Sequence, residues 1–229
     1  MQNVEELQQY VDSLTKELVL TSQTVVAAPG CLPAPCFPEI IMKVLGVVTE
    51  HEWEDLTDRA RNYLKWITVK AEAIDELAPR PMHTTTRGFE LLAIDSDGNS
   101  FGEIVERSQE LGIPSVLVRF ASLIATFLTV RLLRQQMERD REVMPSLTFS
   151  QNVDANYLNY PRTLKTLLEL FPEYKEMFYF EINEEITEDY LTTIRALADD
   201  LGIRLALDDT NKMNINVHHQ LLDLADWIK

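Results

Sequence analysis

The chain has 229 residues, of which 45% are hydrophobic and 25% charged, a composition that supplies enough apolar side chains for a packed core. Its 37 acidic residues outnumber its 21 basic residues and give a formal net charge of −16. A protein that binds duplex nucleic acid needs clustered Lys and Arg to displace counterions, and the sequence has no dense basic cluster, so we expect no duplex binding.

The N-terminus and the lack of a long apolar run indicate a cytoplasmic protein. No apolar run approaches membrane-spanning length, and the N-terminus lacks the charge and the apolar stretch of a signal peptide. We therefore predict a cytoplasmic protein with no membrane span. The two cysteines, Cys31 and Cys36, stand in a proline-rich stretch without a nearby His or Cys to complete a zinc site. Their spacing allows a small disulfide loop, but two free thiols are the favoured interpretation.

Helical spacing dominates the first third of the chain. Apolar residues recur every three or four positions over residues 4–20, which predicts an amphipathic helix. A second helix is predicted over about residues 39–48 and a third over about residues 52–74. The tryptophans at positions 53, 66 and 227 are interpreted as core residues.

The best candidate for a domain boundary is residues 78–86, a stretch rich in Pro and Thr that shows no periodicity. It predicts a helical N-terminal region, residues 1–79, followed by an α/β region, residues 80–229.

The second region alternates short apolar runs with helical segments. Strands are predicted over residues 88–94, 147–153, 177–182 and 203–207 and from residue 227 onward. Helices are predicted over residues 101–111, 116–139, 163–170, 187–201 and 217–224. Strands and helices that alternate at this spacing indicate parallel βαβ units.

Polar residues stand at the carboxyl end of each later predicted strand, where parallel α/β folds bind ligands. They are Asn152, Glu181, the pair Asp208 and Asp209, and Lys229. Asn, Glu and Asp supply the hard oxygen donors that suit Mg²⁺ or Mn²⁺, and two such metals suit displacement at a phosphorus centre. The competing interpretation is that these residues are helix N-caps or solvated turns.

Taken in order, these segments resemble the EAL family of cyclic-di-GMP phosphodiesterase domains. Gly88-Phe89-Glu90-Leu91-Leu92 is similar to the Glu-Ala-Leu motif, Asn152-Val153-Asp154 to Asn-Val-Ser, Glu181-Ile182-Asn183-Glu184 to Glu-Leu-Thr-Glu, Leu201–Asp209 to Leu-Gly-x-x-x-Ala-Leu-Asp-Asp, and Asp226-Trp227-Ile228-Lys229 to Asp-x-Ile-Lys. The resemblance covers residues 88–229.

The resemblance implies a fold and a set of site residues. The fold is α/β, a partial or modified TIM-type (β/α) barrel with an N-terminal helical region, because we count five or six candidate strands where a barrel needs about eight. Mg²⁺ or Mn²⁺ would be held by Glu90, Asn152, Glu181, Asp208 and Asp209. Lys229 takes the place of the lysine that contacts the attacking water in the family.

Three departures from the family pattern imply a degenerate or truncated copy. Ile94 stands where the family usually has an Arg, and Thr210-Asn211-Lys212-Met213 replaces the loop Phe-Gly-Thr-Gly. The family also has a glutamate and a glutamine on later strands, beyond the position of Lys229. The open sheet edge of such a copy would be covered by the N-terminal helices, a second copy or a partner.

We therefore expect a signalling module that acts by binding cyclic-di-GMP or a protein partner, including a second copy of itself. One alternative is an active metal-dependent phosphodiesterase that produces the linear dinucleotide. A second alternative is a purely structural or interaction protein.

Overall fold

The structure of the chain is a computed structural model. It describes residues 4–21, 57–64, 66–76, 85–140, 148–152, 159–172, 177–182, 188–207 and 226–228. The helices in these ranges are α1 (Val4–Thr21), α2 (Asp58–Leu64), α3 (Phe101–Glu110), α4 (Ser115–Asp140), α5 (Pro161–Leu170) and α6 (Glu188–Leu201). The strands are β1 (Thr68–Glu76), β2 (Thr85–Ile94), β3 (Thr148–Asn152), β4 (Phe178–Ile182), β5 (Arg204–Leu207) and β6 (Trp227–Ile228).

The chain divides into two compact units. Unit 1 comprises residues 1–73 and 91–146, and unit 2 comprises residues 74–90 and 147–229. The predicted boundary at residues 79 and 80 lies outside the described residues and stays a prediction.

Unit 1 is built around α4, which contacts α1, α2 and α3. A helix that is apolar on every side has to be buried on every side. Accordingly, the stretch of α4 from Val116 to Arg131 is buried except at Arg119, which is half-buried. Leu7 and Val11 are the buried residues described in α1, and Ala60 and Leu64 are buried in α2. None of the described helices is long and apolar enough to cross a membrane.

The turn after α3 shows why the helix ends there. The backbone N–H of Gly112 donates to the Gln109 carbonyl at 3.0 Å, and that of Ile113 donates to the Ser108 carbonyl at 2.9 Å. This arrangement needs a left-handed residue after the helix, and Gly112 has a φ of 69°. The predicted stop near this glycine is confirmed.

The strands pair in the order β1-β2-β3-β4-β5-β6, and β3 to β6 lie wholly within unit 2. Each neighbouring pair from β2 to β6 is parallel. All five residues of β4 are buried, as expected for a parallel strand covered on both faces. Helix α6 contacts both α5 and β5. The predicted parallel α/β arrangement is confirmed over these strands, and closure into a barrel stays a prediction.

The prediction of one long helix over residues 52–74 is wrong in its second half. Helix α2 ends at Leu64, and β1 begins at Thr68. Around this point the buried residues Ile67 and Val69 alternate with more exposed neighbours, which is the period of a strand. The apolar spacing therefore combined the end of a helix with the start of a strand.

Two further interpretations have different outcomes. Trp66 is 45% exposed, so its assignment to the core is wrong. The predicted helices over residues 39–48 and 217–224, together with Cys31 and Cys36, lie outside the described residues.

Candidate functional site

The first contact of the candidate site joins β2 and β3 in unit 2. In the parallel pairing of these strands, Glu90 is in register with Ser150, and Asn152 follows two residues later on the same face. The Asn152 side chain donates from Nδ2 to Glu90 Oε1 at 2.9 Å. Glu90 is half-buried and Asn152 is exposed, so the contact is accessible to solvent. Two predicted metal ligands thus meet where β3 ends.

The third predicted ligand, Glu181, lies on the next strand. It is in register with Asn152 on one side and with Ala206 of β5 on the other. Its exposed fraction is 0%, which is unusual for a carboxylate. The buried Ser150 hydroxyl lies 3.4 Å from Glu181 Oε2, within hydrogen-bond reach. Glu90, Ser150, Asn152 and Glu181 therefore share one face of three adjacent strands.

The donor chemistry of this face fits a hard divalent cation. Two carboxylates, an amide and a hydroxyl are the oxygen donors that Mg²⁺ and Mn²⁺ accept. Among the residues that the structure describes, no three His, Cys, Asp or Glu side chains come together as a metal site. Asp208, Asp209 and Lys229 lie outside the described ranges, so the predicted roles of all six site residues stay predictions.

The sequence reasoning did not single out Ser150. It precedes Asn152 by two residues, and strand alternation places such a pair on one face. This two-residue period of a strand was the signal from which Ser150 could have been predicted. The partner across the sheet, Glu181, is 31 residues away in sequence, and only strand pairing brings it near.

Asp226, in the segment matched to Asp-x-Ile-Lys, has a role that the motif did not reveal. Its Oδ2 accepts hydrogen bonds from the Leu205 backbone N–H and from Arg195 Nη1, both at 2.9 Å. Burial by itself raises the pKa of Asp226. The Leu205 N–H and the Arg195 guanidinium outweigh burial, so the pKa of this carboxyl is lowered from its ordinary value.

Comparison with known proteins leaves the family unassigned. No family model matches the chain, and no curated protein matches it. Solved structures similar to this chain include two of Vibrio cholerae LapD S helix-GGDEF-EAL. With the structure bound to c-di-GMP, the identity is 15% and the TM-score 0.46, over 82% of this chain and 42% of that chain. With the apo structure, the identity is 12% and the TM-score 0.45, over 91% of this chain and 44% of that chain.

The chain thus spans less than half the length of either LapD structure. With TM-scores below 0.5, neither likeness assigns this chain a family or a function.

Proposed function

We propose that this chain is a cyclic-di-GMP signalling module that binds the nucleotide through a divalent cation and does not hydrolyse it. The proposal is carried by one observation, the 2.9 Å contact between Asn152 and Glu90 with Glu181 in register beside it. These are three of the positions at which the sequence resembles the EAL family.

The need for a cation follows from charge. The nucleotide carries two phosphates, and the carboxylates of the half-buried Glu90 and the buried Glu181 would repel it. A divalent ion held by these carboxylates and by the Asn152 amide oxygen would reverse the local sign and attract the phosphates. When bound, the ion would supply electrostatic attraction for a phosphate oxygen. The residues of the chain hold and orient it.

Ile94 supports the interpretation that the family site is incomplete in this chain. This residue ends β2, the strand that carries Glu90, at the position where the family usually has an arginine. An aliphatic side chain cannot make the phosphate contact of a guanidinium. Hydrolysis also needs a general base and a complete metal set, and loss of one such group typically lowers a rate by about 10²–10⁴-fold.

The proposal is tested by calorimetric titration of the full chain with cyclic-di-GMP, in Mg²⁺ and then in EDTA, followed by chromatography of the same samples. We expect binding in Mg²⁺ only, with no linear dinucleotide. Glu181→Gln should weaken binding by at least about tenfold, because it removes a charged oxygen donor. Its melting temperature should not fall, since a neutral amide of the same shape costs less to bury than a carboxylate.

Glu169→Gln is the matched control, since Glu169 is an exposed residue of α5 in the same unit and should leave binding unchanged. Formation of the linear dinucleotide would replace the proposal with an active phosphodiesterase. An absence of nucleotide binding would overturn it in favour of a role in protein interaction.

A further inference from the structure

Asp226 attaches the last described strand to its neighbour through two different groups. Its backbone N–H donates to the Leu205 carbonyl at 2.9 Å, and its carboxylate Oδ2 accepts the Leu205 N–H at 2.9 Å. Both backbone polar groups of one β5 residue are thus engaged by a single residue that stands directly before β6. This contact precedes the paired residues Ala206↔Trp227 and Leu207↔Ile228.

Arg195 connects the same carboxylate to α6. Its Nη1 donates to Asp226 Oδ2 at 2.9 Å, while its Nε donates to Asp199 Oδ1 at 3.0 Å. The Arg195 side chain is 21% exposed and that of Asp226 is 39% exposed, so the ion pair is only partly open to water. Arg195, Asp226 and the Leu205 backbone, here called the clamp, therefore join α6, β5 and β6 at one carboxylate.

Within the described residues, the ladder between β5 and β6 by itself specifies the register weakly. Only two residue pairs align β6 with β5 in the described part of the chain. A slip of one residue would move every β6 side chain to the opposite face of the sheet. The side chains of β6 that would change sides are those beside Ala206, which is itself in register with Glu181. Lys229 follows Ile228 directly in the sequence.

We propose that Arg195 and Asp226 are positioning residues of the candidate site. They hold β6 in register on β5 and thereby direct the segment that leads to Lys229 toward the face that binds the nucleotide. This inference rests on the proposed function for its link to binding. Its structural half, the setting of register, stands on the clamp alone.

The test compares Arg195→Met with Arg195→Lys in the full chain. Met keeps part of the apolar stem and removes the charge, whereas Lys keeps the charge and one donor group. Two controls are used: Arg162→Met changes the net charge equally at an exposed position of α5, and Leu167→Val lowers stability in the buried part of α5.

Two quantities are measured at a temperature where all variants are folded. Amide hydrogen exchange at Leu205 and Ile228 reports the register, and titration with cyclic-di-GMP in Mg²⁺ reports the site. We expect Arg195→Met to accelerate exchange at both amides and to weaken binding by about ten- to a hundredfold, as misplacement of a binding group does. Arg195→Lys should restore part of both quantities. Arg162→Met should change neither, and Leu167→Val should change each less than Arg195→Met does.

If Arg195→Met left amide exchange at Leu205 and Ile228 unchanged, the inference that the clamp sets the register of β6 would be wrong. Binding weakened no more than in Leu167→Val would overturn the link to the site. If the unmodified chain binds no nucleotide, the proposed function falls and the link to binding falls with it, whereas the exchange data still decide whether the clamp sets the register.

Discussion

The orientation of the Asn152 amide decides which of its two polar atoms faces Glu90. Its amide N–H donates a hydrogen bond to Glu90 Oε1, so in this arrangement its nitrogen faces the carboxylate. To serve as a metal ligand, the amide has to turn and present its oxygen, since a primary amide nitrogen is a donor only. The hydrogen bond therefore engages Glu90 Oε1 through the Asn152 nitrogen.

Replacement of Asn152 by Asp tests this interpretation. Two carboxylates would face each other, so we expect Asn152→Asp to destabilise the chain in EDTA by about 1–2 kcal/mol. Added Mg²⁺ should relieve the repulsion and raise its melting temperature more than that of the unmodified chain. Thermal unfolding with and without Mg²⁺ measures both effects. Asn159→Asp, at an exposed position of the same unit, is the control, and an equal Mg²⁺ response in all three proteins would refute the interpretation.

Asp95 is a buried carboxylate that organises the turn after β2. It accepts hydrogen bonds from the backbone of Asp97 at 2.9 Å, from the backbone and side chain of Asn99 at 3.0 and 2.9 Å, and from the Tyr63 hydroxyl at 3.2 Å. Burial raises the pKa of Asp95, but the donors of Asn99, Asp97 and Tyr63 outweigh it and lower the pKa. Burial and the adjacent Asp95 raise the pKa of Tyr63.

These shifts predict a dependence of stability on pH. Because the folded pKa of Asp95 lies below its unfolded value of about 3.9, its contribution is complete above that value and is lost as the pH falls through the folded pKa. Asp95→Asn should lower the free energy of unfolding near neutral pH by about 1–3 kcal/mol. It should also make stability fall less steeply as the pH is lowered. Thermal unfolding followed by circular dichroism from neutral to acid pH measures both. Asp97→Asn, at an exposed position, should keep the steeper decline of the unmodified chain.

At the level of elements, α1 and α4 are joined by an ion pair with one buried partner. Arg131 Nη1 lies 2.8 Å from Asp12 Oδ1, and the side chains are 6% and 45% exposed, respectively. Removal of either partner therefore has unequal consequences. Loss of the carboxylate leaves a charged group in a buried position, whereas loss of the guanidinium leaves Asp12 in contact with water.

We expect Asp12→Ala to destabilise unit 1 by roughly 2 kcal/mol, with a smaller effect of Arg131→Met because Met fills much of the same volume. The double variant should resemble Arg131→Met alone. Urea unfolding of the four proteins gives the coupling energy between the two residues. Additive effects would show that the pair contributes no coupling between the helices.

At the level of the whole molecule, each unit has a core of its own. In unit 1 the core surrounds α4, with Leu123 fully buried, and in unit 2 it includes the fully buried Leu167 of α5. We therefore expect two thermal transitions. Leu123→Ala should lower the melting temperature of one transition and Leu167→Ala that of the other. Each substitution should reduce the free energy of unfolding of its own unit by about 2–5 kcal/mol. Calorimetric scans of the two variants test this, and a shift of the same single transition by both would contradict it.

The sequence by itself determined most of the local structure. In the described part of the second region, the predicted strands and helices coincide within a few residues with β2 to β6 and α3 to α6. They could be predicted because apolar residues recur about every 3.6 positions in a helix and about every second position in a half-buried strand. The prediction failed over residues 66–74, where β1 follows α2 and the buried Ile67 and Val69 continue the helical spacing. The polar ends of β3 and β4 were likewise visible in the sequence, and Asn152 and Glu181 are in register there. Glu90 lies four residues before the end of β2, and the register of β2 on β3 brings it to Asn152.

Only the tertiary structure decided which side chains satisfy one another. The hydroxyl of Ser150 beside Glu181, the buried Arg131 beside Asp12, and Arg195 on Asp226 all join residues at least 31 positions apart. No local period encodes such pairs, since they arise from the register of strands and the packing of helices. The sequence predicted the candidate site residues, and tertiary packing determined how the described ones among them are held.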